Sequence, residues 1–347
     1  LGSTLPPPGI SPPVLQRCAG LRDGLRGGGE PVGRGPELFI NSYTDAVYAK
    51  MRDDTVRTEG YRAAIKALAP NRTVLDIGTG SLALLAIMAA EAGATKVYAI
   101  EGNEEAANKA RHEVAARGLE SKVEVFHGHS TRLCLPSKVD MVVHEILGEV
   151  ASIEGVAYVL RDAQARHLTA FPSPGKRTSI PASTSSLICP CEMPDGDYWA
   201  DQPFPVILPP DATTLKLWRF PERHLLASCW LEMENLDFES PLGVEEVQNR
   251  SLSFAVRKAG TFGGFVIKME ASLATPDAAE IQTWRFDNAT QTVGCQGHWA
   301  QQVVLFPPVE VEEGDTIELD VSVDLSSLQP SYHFSPRLHR ANTPGES

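Results

Sequence analysis

The sequence predicts an α/β domain on a parallel sheet, followed by an antiparallel, barrel-like β domain. Three observations carry that expectation. The 347 residues amount to two domains at about 150 residues each. Short apolar runs alternate with helical segments between Thr73 and Val143, the pattern of βαβ units. Beyond about Phe171, Pro and Gly become frequent and short alternating strands take over, as in sandwiches and barrels.

Residues 1–36 contain seven Pro and nine Gly. They hold too little periodic apolar surface to offset ordering entropy, so a flexible tail is expected. In residues 37–69, Val47, Met51, Val56, Tyr61, Ile65 and Leu68 recur at roughly helical spacing until Pro70-Asn71 breaks the pattern. Residues 73–77 read as a buried strand, 81–91 as an Ala/Leu-rich helix and 96–100 as the next strand. Asn103 is placed as an N-cap, with Glu104 and Glu105 favourable in the first turn. That helix is expected to run to Arg117 and stop at Gly118, a left-handed cap. Strands over 122–126 and 139–143 complete the parallel set, giving one domain over 70–171 and a β domain over 172–347. In the latter, Leu252, Phe254 and Val256 share a face. So do Ile317, Leu319, Val321 and Val323, after the Glu313-Gly314-Asp315 turn.

Net charge is −13, from 31 basic and 44 acidic residues. So acidic a surface repels phosphate backbones and favours basic protein tails as partners over nucleic acid. No run approaches the ~18 apolar residues of a membrane span, and the start shows no basic flank leading into an apolar core. The six cysteines (Cys18, Cys134, Cys189, Cys191, Cys229 and Cys295) lack paired metal spacing and are sparse for a disulfide scaffold. Reduced thiols in a cytosolic or nuclear protein are expected.

Between the first strand and its helix lies Val74-Leu-Asp-Ile-Gly-Thr-Gly80-Ser-Leu-Ala83. Glycine lets the backbone approach a ligand closely, and a helix start offers free N–H groups. Gly78-x-Gly80-x-x-Ala83 also fits a dinucleotide fingerprint, so the neighbours decide. Asp76 sits just ahead of the glycines, where a carboxylate repels a pyrophosphate and welcomes a cationic amine. Glu101 ends the second strand, where it can accept both hydroxyls of a ribose. Amine and ribose without phosphate describe S-adenosylmethionine, and Asp76 disfavours NAD.

The fourth strand leads into His144-Glu145-Ile-Leu-Gly148-Glu149-Val-Ala-Ser-Ile-Glu154. Glu145 stands at the strand end, the mouth of the crevice in such a sheet. A loop bending at Gly148 can bring Glu154 beside it. Two carboxylates facing one cavity can act as an acid–base pair, bind a metal or hold a planar cation. Methyl transfer from a sulfonium needs no metal, which favours the cation, and a guanidinium offers a fork of donors that two carboxylates grip in one orientation.

With these residues in place, the chain resembles the protein arginine methyltransferases from about residue 37 to its end. The stretch 74–80 looks like their cofactor motif, and Glu145 and Glu154 match their double-glutamate loop in position and nine-residue spacing. Gly297-His298-Trp299 resembles their threonine–histidine–tryptophan loop, and Arg57-Thr-x-x-Tyr61 their cofactor-closing helix. The resemblance implies a Rossmann-like class I methyltransferase domain followed by an antiparallel β-barrel-like domain with a dimerisation arm. It also implies S-adenosylmethionine as cofactor, S-adenosylhomocysteine as its product, and no metal. Arg57 would pair with the cofactor carboxylate, and Asp76, Gly78, Thr79 and Gly80 would form the cofactor loop. Glu101 would hold the ribose and Ser130 lie near the adenine. Glu145 and Glu154 would clamp the substrate guanidinium, Asp54 would pair with His298, and Trp299 would wall the substrate channel.

Departures from the common family pattern refine the expectation. Glu145-Ile-Leu-Gly-Glu149 stands where asymmetric dimethylating members have Met-Gly-Tyr, and Gly297 replaces threonine. Met51 stands where symmetric dimethylating members tend to carry Phe. These features look most like the monomethylating type III branch, the seventh subtype, in a single-module form. Residues 189–223, rich in Pro, Trp and acidic side chains, are the candidate arm, implying a homodimer. Arginine-rich or arginine/glycine-rich proteins and histone tails are the expected substrates. The rival readings are a dimethylating enzyme and a non-catalytic binder of basic tails. Intact Arg57, Glu145 and Glu154 weigh against the binder.

Overall fold

The computed structural model describes residues 43–171, 176–194, 198, 213–243, 246–273, 285–287 and 299–341. The expected tail, residues 195–197 and 199–212 of the candidate arm, and Gly297 and His298 lie outside them.

Helices α1 (Asp45–Asp53) and α2 (Thr55–Leu68) lead into the first strand. The helical spacing gave no sign of a break between them; the structure puts one at Asp54. Its ψ of 91° leaves helical geometry, and its side chain accepts the Arg57 N–H at 3.2 Å, so it caps α2. Next come β1 (Thr73–Ile77), α3 (Leu84–Glu91), β2 (Lys96–Glu101), α4 (Glu104–Ala116), β3 (Val123–His127), β4 (Met141–His144), α5 (Val156–Arg166) and β5 (Ser179–Ile180). The Asn103 side chain accepts the Ala106 N–H at 2.9 Å, and Gly118 adopts φ 64° past the end of α4. Helix α3 starts at Leu84 rather than at residue 81, because Ala83 takes a left-handed φ of 46° and the glycine turn continues through it.

The five strands form one parallel sheet in the order β3-β2-β1-β4-β5. Its central strands are buried on both faces, as a sheet covered by helices requires. The two-residue β5 lies beyond residue 171, where the sequence changes character; it pairs with β4 through Val142 and Val143. From β1 the chain runs outward through β2 and β3, then returns to β4 on the other side of β1. The strand order therefore reverses between β1 and β4, where ligands bind in open α/β sheets.

The β domain comprises β6 (Ser183–Cys191), β7 (Thr214–Leu217), β8 (Leu231–Asp237), β9 (Val247–Ala255), β10 (Gly260–Ser272), β11 (Arg285–Asp287), β12 (Gln301–Val311), β13 (Thr316–Asp324) and β14 (Ser331–His339). Strands β7-β12-β10-β6-β8, with β11 beside β10, make one antiparallel sheet and β14-β13-β9 another. Ile317, Leu319, Val321 and Val323 are all buried along β13, matching their alternation in the sequence. The two sheets meet where Phe254 of β9 packs on Phe265 of β10, ring centres 6.0 Å apart.

Candidate active site

Because Ile77 pairs with both Ile100 and His144, the residues after three strands share one edge of the sheet: Gly78 after β1, Glu101 ending β2 and Glu145 after β4. The two loops press together. A Cβ on Gly78, whose φ is 77°, would lie 2.8 Å from the Ile146 side chain, so only glycine fits. Glu101 accepts the Gly80 N–H at 2.8 Å and the Asn103 N–H at 2.9 Å, one on each carboxylate oxygen, and this fixes its orientation.

An open cleft lies along this edge, where open α/β sheets bind their ligands. Glu145 and Glu154 both line it, together with Met51, Glu101, Ser130 and two tyrosines, Tyr43 and Tyr48. The sequence reading gave neither tyrosine a role. Their ring centres are 5.7 Å apart, and the Tyr48 ring covers Gly80 so closely that a Cβ there would lie 2.7 Å from it. Tyrosines five apart at the start of the first helix were the available signal, but only the docking of α1 turns them onto the glycine loop.

Glu145 seats a guanidinium of its own chain. Arg57 donates from Nε at 3.2 Å and Nη2 at 2.7 Å, both to Glu145 Oε2, and from Nη1 to the Met51 carbonyl at 3.2 Å. The Arg57 guanidinium also lies over the Tyr61 ring, 5.4 Å from its centre, and the Tyr61 hydroxyl donates to the His144 carbonyl at 2.9 Å. Tyr43 donates to Glu154 Oε1 at 2.8 Å. Burial, reinforced by the charge of Glu145, pushes the Glu154 carboxyl up to about 8. Burial also pushes Asp76 up to about 7 and His144 down to about 3.

Other candidates stand further from the cleft. Asp76 is fully buried beneath the glycine loop, where Thr79 donates to its Oδ2 at 2.6 Å while Oδ1 has no partner. Asp54 caps α2, and its expected partner His298 lies outside the described residues. Trp299 is buried and donates from Nε1 to the Leu147 carbonyl at 3.1 Å, so it grips the backbone of the double-glutamate loop rather than the cleft wall. Among the described residues no cluster of three or more His, Cys, Asp or Glu side chains can hold a metal ion. No helix among them is long and apolar enough to cross a membrane.

Residues 62–157 match the ribosomal protein L11 methyltransferase family. A probable protein arginine N-methyltransferase 6.1 of Oryza sativa subsp. japonica is 25% identical over 345 residues, covering 87% of this chain and 85% of that protein. Protein arginine N-methyltransferase PRMT10 of Arabidopsis thaliana is 28% identical over 345 residues, covering 88% of each chain. These relatives of the chain are named as protein arginine N-methyltransferases. The crystal structure of the Arabidopsis methyltransferase 10, in an open conformation, shares the fold at a TM-score of 0.63 and 21% identity, covering 84% of this chain and 97% of that one. So does the Trypanosoma brucei PRMT1 enzyme–prozyme heterotetrameric complex with AdoHcy, at a TM-score of 0.63 and 17% identity over 86% of this chain and 99% of that one. The fold is therefore a Rossmann-like methyltransferase core followed by the antiparallel sheets of a barrel-like domain.

Proposed function

We propose that this protein is an S-adenosylmethionine-dependent protein arginine N-methyltransferase that forms ω-N-monomethylarginine. Its substrates are arginine-rich or arginine/glycine-rich proteins, histone tails among them, attracted by the acidic surface. The observation that carries the reading is the pair Glu145 and Glu154 on one cleft beside the glycine loop, with Glu145 holding a guanidinium through two donors.

The chain's residues fit an adenosyl sulfonium ligand. Gly78 offers close backbone approach, Glu101 is pre-oriented for a ribose by two N–H donors, and Ser130 stands further along the same cleft. Asp76 lies buried beneath the glycine loop and off the cleft lining, where it accepts from Thr79 and braces the loop rather than meeting a ligand amine. S-adenosylmethionine, when bound, supplies the methyl group as an electrophile. The protein's share is positioning and charge. Both Arg57 contacts fall on Oε2 of Glu145, which leaves Oε1 to meet a substrate guanidinium in the cleft. Glu154, its Oε1 held by Tyr43, grips the other side. Holding the substrate nitrogen fixed towards the methyl donor would supply much of the rate enhancement. The two carboxylates also stabilise positive charge as it moves onto the guanidinium. With a resting pKa of about 8, Glu154 is matched to take the proton that the methylated nitrogen later releases.

The remaining expectations belong to the same reading. Residues 37–69 close the cofactor site; the domain expected over 70–171 carries it, extended to 180 because β5 belongs to its sheet; the chain beyond contributes the substrate face and, through residues 189–223, a homodimer contact. The protein works in the cytosol or nucleus. The test is product analysis with methyl-labelled cofactor and an arginine/glycine-rich peptide over a long time course. Monomethylarginine alone supports the whole reading. Dimethylarginine removes the type III assignment, and cofactor binding without any methylarginine removes the enzyme.

A further inference from the structure

We infer that Glu234, a β-domain residue away from the cleft, is the positioning residue of the double-glutamate loop; the inference rests on the arginine methyltransferase reading above. Glu234 is 0% exposed, an expensive place for a carboxylate unless its oxygens are fully used. They are. Oε1 accepts the Ser152 N–H at 3.1 Å and the Ser186 hydroxyl at 2.7 Å, and Oε2 accepts the Ser152 hydroxyl at 2.7 Å. The Ser186 oxygen in turn accepts the Ala151 N–H at 2.9 Å, and Tyr332 of β14 shares a 2.7 Å contact with the Ser152 hydroxyl. Two consecutive backbone N–H groups, lying between Glu145 and Glu154, therefore end on one buried polar hub.

The backbone of β8 is built to deliver that carboxylate. Glu232, Asn235 and Asp237 are exposed and Leu236 is buried, as alternation requires. Met233 and Glu234 are nevertheless both buried, because the pairing with β6 shifts register between Ser186 and Leu187. The bulge turns Glu234 inward, directly opposite Ser186 in the ladder. Bulges re-aim side chains in this way beside functional sites. An apolar residue would satisfy the core packing there but would leave the Ser152 N–H unmatched, and with it the loop's fixed path. With Trp299 gripping the Leu147 carbonyl, the β domain holds the loop on both sides of Gly148.

The test compares Glu234→Leu and Glu234→Gln in the full chain. Glu234→Leu is expected to lower kcat on an arginine/glycine-rich peptide by about 10- to 100-fold, the cost of an ångström-scale misplacement. Its dissociation constant for S-adenosylhomocysteine should stay within about twofold, while its melting temperature should fall, since the Ser152 and Ser186 donors lose their buried acceptor; kcat is therefore read well below that temperature. Hydrogen exchange should rise over residues 145–155 and nowhere else. Glu234→Gln, whose amide still accepts from Ser152 N, should recover most of kcat. Ser186→Ala carries the same exchange test if the leucine variant does not fold. Unchanged exchange over 145–155 in a folded variant, or a kcat loss that merely tracks lost melting temperature or cofactor binding, overturns the inference. Exchange that rises in a protein whose wild type methylates nothing upholds the positioning role and sinks the methyltransferase reading instead.

Discussion

Arg57 Nη2 lies 2.7 Å from Glu145 Oε2, and the two side chains are only 5% and 4% exposed. The pair joins α2 to the first residue of the double-glutamate loop across 88 positions of sequence. Buried pairs of this kind contribute little net stability, yet leaving one partner alone costs about 3–5 kcal/mol. Glu145→Leu should therefore lower the urea unfolding free energy of the cofactor-free protein by about 3 kcal/mol. Arg57→Met together with Glu145→Leu should restore most of it. A single variant as stable as wild type would show that the pair is not formed in solution.

Arg57→Lys separates charge from geometry. Lysine keeps the positive charge but cannot present two donors in a plane, and the present contacts use both Nε and Nη2. On the proposal that Arg57 turns from Glu145 to the cofactor carboxylate when cofactor binds, cofactor affinity measured by calorimetry should fall by about tenfold or more, the worth of roughly one charge-assisted hydrogen bond. Folding should stay close to wild type, because the charge on Glu145 is still met.

What the sequence made legible follows from the range of the forces involved. The parallel strands, the Asn103 cap and the β13 alternation rest on local periodicity and turn chemistry, and each reads directly from its own residues. Glu145 and Glu154 were legible because strand end and loop lie within ten residues of each other. The Arg57–Glu145 contact was not, since nothing local tells an arginine which of two carboxylic ligands it meets in the absence of cofactor. Tyr43 and Tyr48 depend on how α1 docks, and Glu234 on a bulge that no spacing rule announces. Strand β5, at two residues, is too short to show a period at all.

The elevated Glu154 pKa makes stability and binding depend on pH in opposite senses. Its folded value of about 8 exceeds the ordinary 4.5, so the folded state holds the proton more tightly. The stability linked to it is complete below about pH 4.5 and is lost as pH rises through 8. The melting temperature of the cofactor-free protein should decline over that window, and Glu154→Gln should flatten the decline. Arginine peptides need the ionised form, so KM should fall as pH approaches 8. Tyr43→Phe removes a hydrogen bond that lowers this pKa, and its KM profile should move to higher pH.

Gly148 lies in the loop between the two glutamates, where no side chain fits. A Cβ there would overlap Ile153 Cγ2 and lie 3.5 Å from Glu154 Cγ, so Gly148→Ala must open the loop. We expect kcat to drop at least about tenfold with cofactor affinity unchanged, as read by calorimetry and steady-state kinetics. The double variant Gly148→Ala with Ile153→Ala makes room for the methyl group and should regain activity. Failure of the double variant to recover would place the requirement for glycine elsewhere than in this contact.

On the proposed reading, the space around the glutamates sets the product. Met51 lines the cleft alongside Tyr43, Glu145 and Glu154, and its carbonyl is engaged by Arg57 and Thr58, so its backbone is held. A second methylation requires a guanidinium that already carries one methyl to rotate and still present a nitrogen to the cofactor. Met51→Ala removes three heavy atoms from the wall without touching either carboxylate. Wild type should yield monomethylarginine even after long turnover, whereas Met51→Ala should release a measurable dimethylarginine fraction at a similar rate of first methylation. Separation of labelled methylarginines after hydrolysis reads both. Exclusive monomethylation by Met51→Ala would shift the limit to Tyr43 and Tyr48, whose stacked rings form the next part of the same wall.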